Sequence, residues 1–288
     1  MVKKKRHTIV DDGYKVYCGT GKMSEESFNR QKYSWGQTEN SQKNIRILFG
    51  DESSFKDIVS YGIVGVNNSN AKLIEQEINR VFEGKRLHCN EIFNNLGREK
   101  SEWRNFTDEQ IWVMVNSILQ ILNRYQAVFS VGVVHYDTYP KKISGGIYVN
   151  KDVTQAHMYG FACQGALSGL ERIKFINPHI QTYFFPDEQK TIQKFWFDMR
   201  IGIQRFFTHK YVQTLKKESG ENPILLDIAD LFTYITSHSL TKKEHNKRNK
   251  FRELYRICNP VRIDQFWCDN ENKLSLEEFY QQISEQWF

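Results

Sequence analysis

Apolar residues along this chain fall into short runs and helical periods that divide it into strands and helices in alternation. Residues 45–50 form an apolar run ending on the polar stretch Asp51-Glu52-Ser53-Ser54, and a second apolar run covers 59–66; both predict strands. Over 71–82, Leu73, Ile78 and Val81 recur at helical spacing beside the charged Glu75 and Arg80. Asn68-Ser69-Asn70 offers that helix a start and Gly84 a stop. Thr107-Asp108-Glu109-Gln110 carries the signature of a capped helix start, with the helix running to Tyr125. Residues 127–136 are rich in β-branched side chains and predict a strand. Residues 153–173 predict a long helix on which Gly160, Ala162, Gly165, Ala166 and Gly169 permit close packing, and Ser144-Gly145-Gly146 marks a turn before it. Residues 180–185 predict a strand ending at Pro186-Asp187-Glu188, followed by a helix over 189–206 and a short strand over 207–215. A helix over 223–237 has Pro223 in its first turn, and 274–286 predicts a terminal helix. Strands alternating with helices define an α/β layered fold.

With 288 residues, 40% of them hydrophobic, the chain is long enough to bury a sizeable core, and one domain with decorations is expected. Residues 1–43 read as a polar and basic extension, 44–240 as the main domain, and 241–288 as a basic, helical carboxy-terminal extension packed on it. The amino terminus lacks the apolar core of an export signal, and no apolar run approaches the ~18 residues that span a bilayer. The expectation is a cytoplasmic protein with no membrane partner. Cys18, Cys89, Cys163, Cys258 and Cys268 are odd in number and never form a Cys-x-x-Cys pair, which predicts neither a disulfide framework nor a zinc site. The segment 18–23, Cys-Gly-Thr-Gly-Lys-Met, lacks the first glycine of a phosphate loop and has Met23 where a magnesium-binding hydroxyl belongs, so that reading is rejected.

Carboxylates carry the most specific chemistry. Asp51 and Asp187 each follow an apolar run, Asp227 and Asp230 sit in the apolar stretch 223–235, and Glu91 lies in the polar-apolar segment 88–93 beside His88. Acids rarely enter apolar surroundings unless paired or bound to metal. Asp227 and Asp230, three apart on a helix, repel each other unless a cation intervenes. Taken singly, each acid is equally well read as a strand end, a helix cap or an ion-pair partner. Together they fit a site for hard divalent cations, which prefer oxygen ligands.

The ordered set of Asp51-Glu52-Ser53 after a first strand, an apolar Gly62-to-Val66 second strand, an acid near Glu91, Asp187-Glu188 after a strand, and Ala229-Asp230 within a late helix resembles the domain of unknown function 3800 family over roughly 45–240. The resemblance implies an RNase H-like mixed sheet flanked by helices, with catalytic and metal-binding acids at Asp51, Glu91, Asp187 and Asp230. Asp227 stands where the family commonly has glutamine, and would add a further ligand, while Ser54 replaces a glycine; Glu99 and Glu102 are neighbours of the Glu91 position. It also implies two Mg²⁺ or Mn²⁺ ions and two-metal hydrolysis of phosphodiester bonds in RNA, DNA or a hybrid. Two other functions fit the same residues: a catalytically idle module that binds nucleic acid or a protein partner, and a phosphoesterase acting on a nucleotide or other small molecule.

The net charge of +6 is modest, but its distribution is not even. Lys242, Lys243, Lys247 and Arg248 begin a basic segment reaching Arg256, which reads either as a solvated helix face or as a phosphate-contacting surface for nucleic acid. His88 and His238 are candidate proton carriers, with a structural role the plainer alternative. The aromatic groups at 183–185, 195–197 and 206–207 are expected in the core rather than stacked on bases. The oligomeric state is left open by the sequence.

Overall fold

The computed structural model describes residues 8–11, 14–17, 45–135, 142–143, 151–176, 180, 182–187, 224–265 and 273–274, with side chains over 45–135, 158–176, 180, 182–187 and 224–264. The strands are β1 (Thr8–Asp11), β2 (Tyr14–Tyr17), β3 (Arg46–Phe55), β4 (Ile58–Asn67), β5 (Val128–His135), β6 (Lys142–Ile143), β7 (Thr182–Pro186), β8 (Val261–Gln265) and β9 (Lys273–Leu274). The helices are α1 (Asn68–Val81), α2 (Cys89–Phe93), α3 (Asn95–Glu99), α4 (Asp108–Arg124), α5 (Lys151–Arg172), α6 (Ile224–Leu240) and α7 (Arg248–Cys258). β1 pairs with β2 as a small antiparallel hairpin, and β6 pairs with β9. The expected helix over 189–206, strand over 207–215, turn at 144–146 and most of the terminal helix lie outside the described residues; its first residue, Leu274, is in β9.

A five-stranded mixed sheet in the order β7-β3-β4-β5-β8 organises the α/β fold. β3, β4 and β5 form an antiparallel meander, while β7 and β8 are added parallel to β3 and β5. The strand expected to end near Gly50 continues to Phe55. Asp51 therefore lies inside a ladder, paired with Gly62, rather than beyond a strand end. The polar stretch stays extended because the hairpin turns later, at Lys56 and Asp57, with Lys56 at φ 56°. β8, which comes after residue 240, is an outer strand of this same sheet.

Alternation along the strands separates two cores. Ile47 and Phe49 of β3, Val64 of β4, Val131 of β5 and Phe185 of β7 face α6, together with α1, α4 and α7. Leu48, Tyr61, Val134 and Phe184 face α5. Contact with α5 is close because Gly132 and Gly169 have no side chain: a Cβ on Gly132 would collide with the Ala162 carbonyl. α1 ends where expected, with Gly84 at φ 75° and its N–H donating to Asn79 O at 3.1 Å. α4 begins on a complete capping box between Thr107 and Gln110. Tyr183, Phe184 and Phe185 are buried in the two cores, whereas the aromatic groups at 195–197 and 206–207 lie outside the described residues.

Candidate functional site

Asp51 and Asp187 lie on adjacent strands and on the sheet face covered by α6. The β3–β7 register ends at Gly50 opposite Pro186, and the Asp187 N–H extends it by donating to Gly50 O at 2.9 Å. Both carboxylates follow the odd-numbered residues Phe49 and Phe185 of the α6-facing core, and they are only 3% and 5% exposed. α6 crosses β3 and β4 at this level. The Thr233 hydroxyl shares its proton between Ala229 O of its own helix at 2.7 Å and Asp51 O at 3.1 Å, and Gly62 gives Thr233 and Phe232 room beside the strand. One turn earlier on the same helix, Asp230 accepts a hydrogen bond from the Cys89 N–H of α2 at 3.4 Å. Asp227, 9% exposed, lies one turn before Asp230.

The Cys89 and Tyr61 side chains report the field of these acids. The Cys89 thiol is pushed well up, first by burial and then by the charges of Asp230, Asp51 and Asp227. The Tyr61 hydroxyl, on the other sheet face, is also pushed well up, by burial and then by Cys163, Glu52, Asp51 and Asp187. Four predicted acids thus belong to one electronegative region that spans β3, β7 and α6. Their donors are all carboxylate oxygens, the type that hard divalent cations take. Among the described residues no group of three or more His, Cys, Asp or Glu side chains is set to hold a metal ion. The donor type suits Mg²⁺ or Mn²⁺, but the described side chains are not assembled into a coordination shell.

Glu91 is half-buried on α2, about 200° around that short helix from Cys89, and so off the face that meets Asp230. His88 precedes α2, and its Nδ1 is buried with no hydrogen-bond partner among the described residues. His238 belongs to an aromatic stack, its ring 3.7 Å from Phe55 and 3.9 Å from Tyr234. The predicted basic residues divide into two groups. Lys247 is committed within the fold, its ammonium donating to Phe93 O at 2.8 Å and lying 3.4 Å from Asp108. Lys242 and Lys243 are exposed, and Arg248 is half-buried.

Two residues that position this region were not singled out in the sequence. Thr233 ties α6 to the Asp51 peptide, and its signal is its place three residues after Asp230. Asp57 accepts hydrogen bonds from the Thr241 hydroxyl and the Lys242 N–H, joining the β3–β4 turn to the end of α6. These bonds and the charge of Lys243 outweigh its burial, and the carboxyl titrates below its usual range. A lone acid in a hairpin turn gives no sign of that distant partner. No family model, curated protein or solved structure matches this chain.

Proposed function

We propose that this protein is a divalent-metal-dependent nuclease of RNase H-like architecture, hydrolysing phosphodiester bonds of RNA, DNA or a hybrid. The observation that carries the reading is the convergence of Asp51 and Asp187 on one sheet face under the helix that bears Asp227 and Asp230. The mixed sheet with helices on both faces agrees with the architecture at the level of class.

Asp51, Asp187 and Asp230 would hold Mg²⁺ or Mn²⁺, with Asp227 behind Asp230, while Glu91, off the α2 face that meets Asp230, is left out of this set. Bound metal would supply a water of lowered pKa and stabilise charge on the leaving oxygen. The chain's own part is to orient and to exclude water. The Cys89 N–H fixes one Asp230 oxygen, and the Thr233 hydroxyl fixes the Asp51 peptide against α6. Exposed Lys242 and Lys243, with Arg248, would meet the phosphate backbone of the nucleic acid.

Incubating labelled single- and double-stranded RNA and DNA and a hybrid with Mg²⁺, Mn²⁺ or EDTA tests the proposal. Expected is metal-dependent cutting of at least one polymer. In folded Asp51→Asn and Asp230→Asn it should fall by more than about a hundredfold, the upper end of what substitutions behind a metal ligand cost. Mn²⁺ should also raise the melting temperature of the wild type and not of the two variants. No cutting and no thermal shift would replace the nuclease with a module that binds without cleaving.

A further inference from the structure

Tyr234 stands one turn beyond Asp230 on the same face of α6, about 6 Å further along the helix axis. Its ring is held between Phe93 of α2 and His238, with centroids 5.4 Å and 3.9 Å away and planes 13° and 19° from parallel, and Phe251 of α7 closes on it at 5.7 Å. With Phe93 and His238 stacked on it, the ring is no platform for a base. The residue is nevertheless only half-buried, its hydroxyl makes no hydrogen bond among the described residues, and that oxygen is not sealed from solvent. Burial first, and then the charges of Cys89 and Asp230, push the phenol up, which places the hydroxyl beside the acid cluster. We propose that Tyr234 is a further substrate contact of this site, its hydroxyl donating a hydrogen bond to a backbone phosphate oxygen of a nucleic-acid strand, at or next to the phosphate that meets the acids. The proposal rests on the nuclease reading for its substrate class.

Tyr234 differs in this from the other hydroxyl side chains of α6. Thr233 donates to Ala229 O and Asp51 O, Thr236 to Phe232 O, Ser237 to Tyr234 O and Ser239 to Thr236 O. Asp230 already accepts from the Cys89 N–H, and the Tyr234 proton is left uncommitted. A phosphate offers acceptors only, and a hydrogen bond to an ionised acceptor is about twice as strong as a neutral one. The stack also fixes the phenol before any ligand arrives, so little side-chain freedom is lost on binding.

Placement suits a strand that meets both the acids and the basic segment. Phe93 stacks on Tyr234 and its carbonyl accepts from the Lys247 ammonium at 2.8 Å, immediately before α7. The ring cluster thus joins the Asp230 turn of α6 to the start of α7. A strand reaching from the acids to Lys242, Lys243 and Arg248 would run past the Tyr234 hydroxyl.

Tyr234→Phe keeps the ring and its stack and removes only the hydroxyl. Binding of a short fluorescent strand is measured in Ca²⁺ over a salt series, and cleavage in Mn²⁺ is read separately for KM and kcat. Expected is an affinity loss of about tenfold or more, the worth of a hydrogen bond to a charged group. The salt slope should not change, because a neutral hydroxyl releases no counterion. KM should rise with the loss of affinity while kcat holds within about twofold, the pattern of a contact made equally in the ground and transition states. The melting temperature and its Mn²⁺-induced rise should match wild type, as a merely structural hydroxyl would not combine with weaker binding. Equal affinity and KM in the two proteins overturn the contact. So does an altered Mn²⁺-induced rise at equal affinity, which would assign the hydroxyl to Asp230 instead. Weaker binding by the variant without any wild-type cleavage retains the contact and removes the nuclease, and wild-type cleavage with unchanged KM and affinity in the variant does the reverse. A wild type that neither binds nor cleaves removes both.

Discussion

His238 shows how one side chain can couple this fold to pH. Its imidazole is sandwiched between Phe55 and Tyr234, and Nδ1–H donates to Tyr234 O at 2.9 Å, which leaves Nε2 without a proton in the neutral ring. Burial pushes its pKa down to about 4, against the favourable effect of the Tyr234 carbonyl, and the charges of His245 and Lys56 push the same way. The unfolded chain takes up this proton near the ordinary histidine value of about 6.5. Between those values the unfolded state binds more protons than the folded one. The stabilisation from keeping the ring neutral is therefore complete above pH ~6.5 and is lost as the pH falls towards 4, amounting to about 3 kcal/mol. Urea melts of wild type and His238→Phe at several pH values between 7.5 and 4 should show wild type losing that much more on acidification. Parallel losses in the two proteins would remove His238 as the cause. The residue's environment was not legible from 223–237 alone, since Phe55 and His245 come from other parts of the chain.

At the scale of elements, local signals were readable and long-range ones were not. α1 and α4 form close to their predicted limits because their periodicity, the Gly84 stop and the Thr107 capping box are properties of neighbouring residues. β3 runs five residues past its predicted end because the partners that keep Asp51-to-Phe55 extended belong to β4. The acids at Asp51, Asp187, Asp227 and Asp230 stood out as carboxylates among apolar runs, but their shared sheet face depends on the β3–β7 register and on the crossing of α6. Lys247 looked like any other basic residue, because Phe93 and Asp108 are far away in sequence. Packing at two glycines then gives a graded prediction. A methyl at Gly132 meets the Ala162 backbone, so all of α5 must shift, whereas one at Gly62 meets the side chains of Thr233 and Phe232, which can give partly. Both alanine variants should be destabilised within or above the ~1–3 kcal/mol typical of overpacking, with Gly132→Ala the worse. Gly62→Ala should additionally weaken the proposed metal-dependent activity, because Thr233 holds α6 at Asp51. Denaturant melts check the order, and equal melting of Gly132→Ala and wild type would refute the close approach of α5.

For the whole molecule, the sheet depends on chain that follows the proposed catalytic region. α7 inserts Phe251, Leu254 and Cys258 into the core shared by α4 and α6, and β8 pairs in parallel with β5 from Ser130 to Val134. Lys247 bridges to Phe93 and Asp108 immediately before α7. A chain cut after residue 246 would lose all of these and uncover the β5 edge. Fully burying a side chain such as phenylalanine or leucine contributes about 1.5–3 kcal/mol, so Phe251 and Leu254 alone supply on the order of 3–6 kcal/mol. Domains are typically stable by only about 5–15 kcal/mol, and an unpaired strand edge invites aggregation as well. The 1–246 chain is therefore expected to be insoluble, or to melt well below the full chain by circular dichroism, before any question of activity arises. A soluble 1–246 chain that melts within a few degrees of the full one would show that the sheet from β7 to β5 sustains itself. In that case the core shared by α4 and α6 would hold without Phe251, Leu254 and Cys258.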